Sequence, residues 1–439
     1  MVLMGLLAYQ LALWFFSPLV FLFFCYQLFV SGKFRNSWRP RLGLDFPKAP
    51  QKPTIHIHAA SVGEAIALVG VIKELRQRLP DWAFLVTSLS ETGHQTVLDR
   101  LNPEVATFLP LDYRFLVRRL YDQYEPKLLI LMETEFWPNL IEEAKSRGLA
   151  VMVANGRISP GTIRFYHTFS FLYHPLLAKI DCFAAQTEAD GKRVVEIGFP
   201  KERVKVVGDV KYDQIAQNPN SPRLKELLSS INAPSKNVLA AGSTHPGEHE
   251  KLIEGFAKLS KERDDAYLIL APRHPQELDK VRRLLSESEL SYLDRSKQRD
   301  EKLTWSPDIK VLLVDTMGEL AFFYSLCSVA FVGGSLAKIG GHSPLEPAVF
   351  GKPVLFGPHA FNFIATNEML VNAQGAQVVD SHEILLKTVV KLFDNEEERE
   401  EMGSKAKEAV LQKQGASMRM AELAHSFVTS TNKYETKSS

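Results

Sequence analysis

Glu64, in the stretch HAASVGEA at residues 58–65, is a candidate for acid–base chemistry. A carboxylate here could take a proton from a substrate hydroxyl as a general base. The same run, Ser61-Val62-Gly63-Glu64, also fits the S-x-x-E capping box, in which serine and glutamate satisfy free amides of a first helical turn. Gly63 would let a substrate approach the backbone closely. The sequence leaves both roles of Glu64 open.

Two further carboxylates and a lysine lie in motifs of similar character. The stretch METEFWPN, residues 132–139, ends an apolar run with Glu133 and Glu135. Charges directly after a buried strand are costly unless they are paired or lie in an open site. These two residues therefore fit either a functional role or a helix start. Lys211, in GDVKYD at 208–213, fits either a site residue or a solvated surface lysine.

A second set of motifs is suited to holding an anion. In APRHP, residues 271–275, Arg273 and His274 follow an apolar run. A guanidinium at this point could clamp a phosphate or carboxylate through two hydrogen bonds, although a surface arginine is the alternative. In TMGEL, residues 316–320, Gly318 and Glu319 stand at another strand-to-helix turn.

The strongest anion signal is GGSLAKIGGHSPLEPA, residues 333–348. Gly340 and Gly341 permit close backbone approach, Ser343 could cap a helix, Pro344 suits the first helical position, and Glu346 completes a second S-x-x-E box. A helix start presents free amides to a phosphate. The spacing matches neither the P-loop nor the dinucleotide fingerprint, so we expect one anion site of the kind a nucleotide sugar would occupy.

The elements that must position these residues alternate between strands and amphipathic helices. This alternation predicts βαβ units with parallel sheets, which bind ligands beyond the carboxyl ends of their strands. Each motif follows such a strand. A helix is expected over 64–79, and the predicted strands are 54–59, 82–88, 106–111, 127–133, 149–155, 182–187, 204–209, and then 237–243, 266–272, 309–315, 328–335 and 352–358.

The first 31 residues carry no charged side chain and exceed the ~20 apolar residues that span a bilayer. They lack the basic start and small-residue cleavage site of a signal peptide. The basic residues that follow place the body of the protein in the cytoplasm by the positive-inside rule. Ser17-Pro18 would kink the helix, so monotopic insertion is an alternative to spanning. The basic residues are Lys33, Arg35, Arg39 and Arg41.

The polar, proline-rich run at 217–222 indicates a boundary between two domains. We expect a membrane anchor over 1–31, an N-terminal domain over 32–216, a linker over 217–235, a C-terminal domain over 236–428 and a tail over 429–439. The 52 basic and 51 acidic residues nearly cancel, which argues against a nucleic-acid partner. Three widely separated cysteines argue against a zinc knuckle or a disulfide framework.

The order of HAASVGE, METEFWPN, GDVKYD, APRHP, DTMGEL and GGHSPLEPA behind an apolar segment resembles the 3-deoxy-D-manno-octulosonic acid (Kdo) transferases of Gram-negative bacteria. The resemblance covers almost the whole chain. It implies an α/β GT-B fold, with two Rossmann-like doubly wound domains facing a central cleft and the last helices crossing back onto the first. It also implies inverting transfer of Kdo from CMP-Kdo to a lipid A precursor (lipid IV-A) in lipopolysaccharide core biosynthesis, at the cytoplasmic face of the inner membrane and in contact with its lipids.

The family's pattern makes Glu64 the catalytic base, with Glu133 and Lys211 supporting the transition state. Two departures stand out: Ser343 replaces the usual Asn, which puts in doubt any contact needing the longer amide, and Asp209 adds a negative charge beside Lys211. No D-x-D pair or His/carboxylate cluster indicates a metal, and no cofactor is expected. The resemblance assigns CMP binding to Pro272, Arg273, Met317, Gly318, Glu319, Ser343, Pro344, Leu345 and Glu346.

Two other functions fit parts of the same pattern. A GT-B-like sugar-nucleotide epimerase would share the paired Rossmann units, but would not need a membrane segment. A non-catalytic, membrane-anchored nucleotide-binding module would need only the phosphate loop and would leave Glu64 as a helix cap.

Overall fold

The computed structural model describes residues 2–217, 231–232, 237–298 and 303–435. The chain divides into two compact units. The first unit comprises Met1–Asp213 together with Gly415–Ser439, and the second comprises Gln214–Gln414. Most of the predicted linker, 217–235, lies outside the described residues.

The first unit is built on a seven-stranded sheet in which every pair of neighbouring strands is parallel. The strand order is β3-β2-β1-β4-β5-β6-β7. Its central strands are buried along their whole length, as expected for a parallel sheet covered by helices on both faces. The strands are β1 Thr54–His58, β2 Ala83–Ser88, β3 Val105–Phe108, β4 Leu128–Met132, β5 Ala150–Gly156, β6 Cys182–Ala185 and β7 Val204–Val206.

The described residues up to 217 form ten α-helices, and the first of them continues as a π-helix over Tyr26–Val30. They are α1 Val2–Cys25, α2 Trp38–Arg41, α3 Val62–Arg78, α4 Glu91–Leu101, α5 Arg114–Tyr124, α6 Pro138–Ser146, α7 Pro160–Thr168, α8 Ser170–Leu177, α9 Glu188–Glu196 and α10 Val210–Gln217, which crosses the boundary between the units.

The second unit contains another seven-stranded parallel sheet, in the order β11-β13-β10-β9-β14-β15-β16, and a two-stranded parallel pair, β8 and β12. The strands are β8 Ile231–Asn232, β9 Val238–Thr244, β10 Tyr267–Pro272, β11 Tyr292–Asp294, β12 Leu303–Thr304, β13 Val311–Leu313, β14 Val329–Val332, β15 Val354–Phe356 and β16 Ala376–Val378. The helices are α11 His249–Glu262, α12 Leu278–Glu287, α13 Leu320–Leu326, α14 Leu345–Val349, α15 Ile364–Asn372, α16 His382–Asp394 and α17 Glu396–Leu411.

Every predicted strand is present, with ends shifted by a few residues. Four short strands were not predicted: β8, β11, β12 and β16. Each is two or three residues long and lies at a sheet edge or in the small pair, so no sustained apolar run marks it.

The last helix, α18 Ala416–Glu435, belongs to the first unit. It packs on α3 so closely that a Cβ on Gly70 would lie 2.5 Å from Ser417 Oγ. Asp213 joins the chain segments on either side of the second unit: its carboxylate accepts hydrogen bonds from the backbone amides of Gly415 (2.6 Å) and Ser417 (2.7 Å). The compact units therefore differ from the predicted domains, which placed 415–428 with the second sheet and began a tail at 429.

The apolar helix α1 lies along the first unit and is held there by polar side chains. Tyr9 donates a hydrogen bond to Asp112 (2.8 Å), and the hydroxyls of Ser17 and Tyr113 are 2.7 Å apart. The stretch Gly5–Val30 is long and apolar enough to cross a membrane. The helix also exposes large apolar side chains, among them Leu7, Leu11, Phe15, Leu19, Phe21 and Leu22.

Loss of the Asp213 carboxylate should loosen α18. We expect Asp213→Ala to lower the free energy of unfolding of the first unit by about 1–2 kcal/mol, because two amides at a helix start lose their acceptor. Hydrogen exchange in 416–429 should accelerate. Asp99→Ala is the matched control, since Asp99 accepts only an exposed bond from Gln95 within its own helix. Unchanged exchange in Asp213→Ala would show that packing alone holds α18.

Candidate active site

Glu64 lies in the first turn of α3, directly beyond the carboxyl end of β1, and is only 7% exposed. Ser61 caps the helix by accepting a hydrogen bond from the Glu64 amide, as the S-x-x-E spacing predicted. The Glu64 carboxylate in turn accepts bonds from the Ala60 amide and the Ser61 hydroxyl, both at 2.9 Å. The capping role is therefore confirmed, and each carboxylate oxygen retains a second lone pair for another partner.

The environment of Glu64 also suits acid–base chemistry. Burial, with the neighbouring carboxylates of Glu135 and Glu133, raises the pKa of Glu64 to about 7, although the bonds from Ala60 and Ser61 oppose the shift. A carboxyl group with this pKa exchanges protons near neutral pH.

Glu133 follows β4 in a left-handed backbone conformation, with φ of 54°. Such a conformation is uncommon for a residue with a side chain. Burial raises the pKa of Glu133; Arg157 opposes this shift, and Asp209 and Glu135 add to it. Arg157 follows β5 and was not predicted, although the same position after a strand could have identified it.

Glu135 is a second carboxylate that the family pattern left without a role. Burial alone would raise its pKa, but the His58 imidazole, 3.8 Å away, and a hydrogen bond from the Trp137 indole (2.8 Å) outweigh burial and lower it. His58 is itself fixed by Thr87, whose hydroxyl lies 2.9 Å from Nδ1. Glu135 therefore stays ionised beside Glu64.

Lys211 lies in the first turn of α10 and forms an ion pair with Asp209 at 3.2 Å. The extra negative charge expected from Asp209 is thus present beside the lysine. Because Asp209 also raises the pKa of Glu133, the lysine's ion pair belongs to the same electrostatic group as the carboxylates. The residues converge because β1, β4 and β5 are adjacent in the sheet, so their carboxyl ends lie side by side.

In the second unit, Arg273 and His274 directly follow β10, and His245 follows the adjacent strand β9. The Nε2 atoms of His245 and His342 are 2.9 Å apart, and the two rings stack. Burial, together with the charges of His245 and Arg273, lowers the pKa of His342 to about 4. Both rings are therefore neutral near pH 7, with one donating its proton to the other, beside the exposed Arg273 guanidinium.

Glu248 organises this loop and was not predicted. It is 1% exposed, and its carboxylate accepts hydrogen bonds from five backbone amides, including that of Gly334 at 2.7 Å. Successive amides of this kind form an anion-binding nest. Here the protein's own carboxylate fills the nest, which fixes the backbone that carries His245 and leads to His342. The remaining donors are the amides of His245, Ser335, Leu336 and Ala337.

The helix after the glycine pair begins later than predicted. Helix α14 starts at Leu345, Pro344 is its cap residue, and no side chain caps it, so Ser343 and Glu346 do not form the expected second S-x-x-E box. Gly341 has φ of 76°, and a Cβ there would lie 3.0 Å from Ala360. The glycine thus serves backbone packing. Burial raises the pKa of Glu346, and Arg273 opposes this shift, which places the two side chains near each other.

The remaining predicted CMP-site residues have distinct surroundings. Pro272 ends β10 next to Arg273. Met317 is 70% exposed, and Gly318 adopts a positive φ of 81° in the turn before α13. Glu319 is buried and bound to Arg295 (3.2 Å) and the Thr316 hydroxyl, so its carboxylate stabilises the turn.

Removal of the Glu135 charge should change the pKa of Glu64. We expect Glu135→Gln to lower the pKa of Glu64, because a neighbouring negative charge that opposes ionisation is lost. The carboxyl ¹³C resonance of Glu64, identified by its loss in Glu64→Gln, measures this pKa directly. Glu202→Gln, on the exposed turn before β7, is the control and should leave the titration unchanged. An unshifted Glu64 titration in Glu135→Gln would contradict the coupling.

Comparison with known proteins identifies the family of this chain. Residues 36–214 match the family described as 3-deoxy-D-manno-octulosonic-acid transferase (kdotransferase). The 3-deoxy-D-manno-octulosonic acid transferase of Haemophilus influenzae is 34% identical over 412 residues, covering 93% of this chain and 95% of the relative. That of Bordetella pertussis is 32% identical over 380 residues, covering 82% and 85%.

Solved structures confirm the fold class. The UDP-GlcNAc 2-epimerase of Neisseria meningitidis, bound to UDP-GlcNAc, is similar with a TM-score of 0.57 and 14% identity, covering 84% of this chain and 98% of that structure. At this identity the likeness concerns the fold alone, two parallel-sheet α/β domains of the GT-B type. The sequence relatives decide the family: this chain belongs to the Kdo transferases, which are glycosyltransferases.

Proposed function

We propose that this Kdo transferase moves Kdo from CMP-Kdo to a lipid A precursor, lipid IV-A, with inversion at the anomeric carbon and with Glu64 as general base. The observation that carries the proposal is the Glu64 carboxyl group, buried at a helix start with its pKa raised to about 7. A base with a pKa near the working pH combines a useful fraction of ionised form with a strong pull on the proton.

The reaction step follows from this assignment. Glu64 takes the proton of the primary hydroxyl of the acceptor sugar as that oxygen attacks the anomeric carbon of Kdo. The bond from the anomeric carbon to the phosphate oxygen of CMP breaks, and its electron pair leaves with CMP. The proton remains on Glu64. The fixed bonds from Ala60 and Ser61 hold the carboxylate in one orientation, so little reorganisation is needed.

Residues of the second unit are proposed to stabilise the charge that develops on the leaving CMP phosphate. Arg273 supplies a fixed positive charge, and whichever of His245 and His342 accepts the bond between the rings keeps an Nδ1–H that can donate. The buried Glu319 and the half-buried Glu346 are the carboxylates of this CMP site. The walls and backbone of the site come from Pro272, Met317, Gly318, Ser343, Pro344 and Leu345. We propose that these groups stabilise the phosphate without a metal.

Glu133 and Lys211 complete the proposed catalytic set in the first unit. Lys211 offers a positive charge, partly balanced by Asp209, for the acidic Kdo group in the transition state. Glu133, strained and partly buried, raises the pKa of Glu64. The epimerase alternative is supported only by likeness of fold, whereas the curated relatives of high coverage are transferases.

We also propose that the protein works at the cytoplasmic face of the inner membrane, with α1 lying against the first unit and facing lipid. The polar contacts of Tyr9, Gln10 and Ser17 with the body of the unit favour monotopic insertion over spanning. Of the four basic residues after the helix, Arg41 is buried, over Phe34 and Phe108, so it stabilises the fold. Lys33 and Arg35 are better placed for lipid headgroups.

Glu64→Gln tests the base directly. Glutamine can replace glutamate in a capping box, so CMP-Kdo binding and thermal stability should be retained, while the transfer rate should fall ~10²–10⁴-fold. Ser61→Ala is the matched control. It removes the cap, which should cost about 1 kcal/mol of stability, and one of the two bonds that orient the carboxylate, but it leaves the base itself, so transfer should fall far less than in Glu64→Gln. Undiminished transfer by Glu64→Gln would eliminate Glu64 as the base.

The pH dependence of transfer gives a second test. Because the raised pKa keeps Glu64 protonated in acid, kcat/KM should rise about tenfold per pH unit below pH 7 and level off above it. The same shift means that the stability contributed by protonated Glu64 is present below the ordinary glutamate pKa and is lost as pH rises through 7. A flat rate profile between pH 5 and 8 would contradict the assignment.

A further inference from the structure

An apolar groove lies beside α1 in the first unit and plays no part in the chemistry above. Its volume is about 620 Å³, within the range of ligand-binding pockets. Its walls come from α1 with its π-helical end, from α2 and from the segment that leads into α5. Aromatic and aliphatic side chains form nearly all of its lining, including Phe24, Leu28, Trp38, Leu42 and Leu116.

The groove is held in shape by polar contacts outside the apolar lining. Tyr9 is bonded to Asp112, and Ser17 is bonded to Tyr113, so α1 cannot slide along α5 without breaking them. Asp112 is further fixed by the amides of Asn139 and Leu140, both at 3.0 Å. A wall fixed in this way provides a defined binding surface.

The chemistry of the groove fits a lipid with an anionic headgroup. An apolar slot excludes polar ligands, because their groups would lose hydrogen bonds to water. Arg119, an exposed residue, also lines the groove, and Lys33 and Arg35 stand in the segment between the apolar helix and α2. Basic side chains beside an acyl slot are complementary to phosphate groups on the lipid that enters it.

The position of the groove indicates which lipid it binds. Leu111 and Tyr113, both in its lining, follow the carboxyl end of β3, and Glu64 follows the carboxyl end of β1. One strand, β2, separates them in the sheet, so the two strand ends are about 10 Å apart at the usual strand spacing. We propose that the groove seats one acyl chain of the acceptor, so that the acceptor's phosphorylated sugar is held at the edge of the sheet that carries the base. This inference rests on the proposed function.

Cys25 offers a direct probe of occupancy. It lines the groove and is half-buried, whereas Cys182 and Cys327 are buried. In full-length Glu64→Gln protein in phosphatidylcholine nanodiscs, the tetra-acylated acceptor should slow alkylation of Cys25 by a maleimide at least tenfold. The same phosphorylated disaccharide without acyl chains should give no protection.

Two outcomes would overturn the inference. Equal protection by phosphatidylglycerol would show that the groove takes any anionic bilayer lipid. Absent protection, at acceptor concentrations that saturate transfer by the wild-type enzyme, would show that the acyl chain binds elsewhere. The readout is independent of catalysis, so a failure of the proposed function would appear separately, as absent transfer by the wild-type enzyme.

A larger side chain that fills the groove should weaken binding of the acylated acceptor. We expect Leu28→Trp to raise KM for the acylated acceptor about tenfold and to leave kcat/KM for the deacylated disaccharide unchanged. Shortening the acyl chain should weaken binding to the unmodified enzyme by about fourfold per methylene removed from the groove. Phe16→Trp is the control, on an exposed position of α1 outside the groove, and should leave KM unchanged. Equal effects of both substitutions, or KM values insensitive to chain length, would refute the acyl site.

Discussion

Removal of the Glu64 carboxyl group from water, at the start of α3, is the constraint on which the proposed chemistry depends. Burial and the charges of Glu135 and Glu133 disfavour its ionised form, while the bonds from Ala60 and Ser61 favour it. The balance leaves the pKa near 7. The capping box and the base are therefore one structure: the bonds that begin the helix also hold the carboxylate still.

A second buried glutamate has a purely structural role. The Glu248 carboxylate accepts bonds from five backbone amides and so fixes the loop of the second unit. It shapes the backbone around Gly334 and thereby brings His245 next to His342. The two glutamates therefore differ in role. Glu64 accepts bonds from two donors and lies near two other carboxylates, whereas Glu248 accepts bonds from five backbone amides.

Two aspartates connect the chain ends to the first sheet. Asp112 holds α1 through Tyr9, and burial raises the pKa of Asp112 to about 7. Asp213 holds the start of α18 through two amides. Both aspartates lie close to the carboxyl edge of the sheet, so the flanking helices are anchored at the edge where the carboxylates gather. Asp213, the last residue of the GDVKYD motif, therefore has a structural role that its position in the sequence did not predict.

The sequence by itself determined most of the strands, the class of fold, the apolar N-terminal helix and the cap at Ser61, because these depend on local periodicity and on spacing within one turn. It also pointed to Glu64, Glu133, Lys211 and Arg273, since each follows a strand. Only the tertiary structure decided the roles of Glu135, Asp209 and Glu248 and the later start of α14. Those properties arise from charges, amides and packing partners that are distant along the chain, such as His58 beside Glu135 or Ala360 against Gly341. The same holds for the groove beside α1, whose walls come from segments about ninety residues apart.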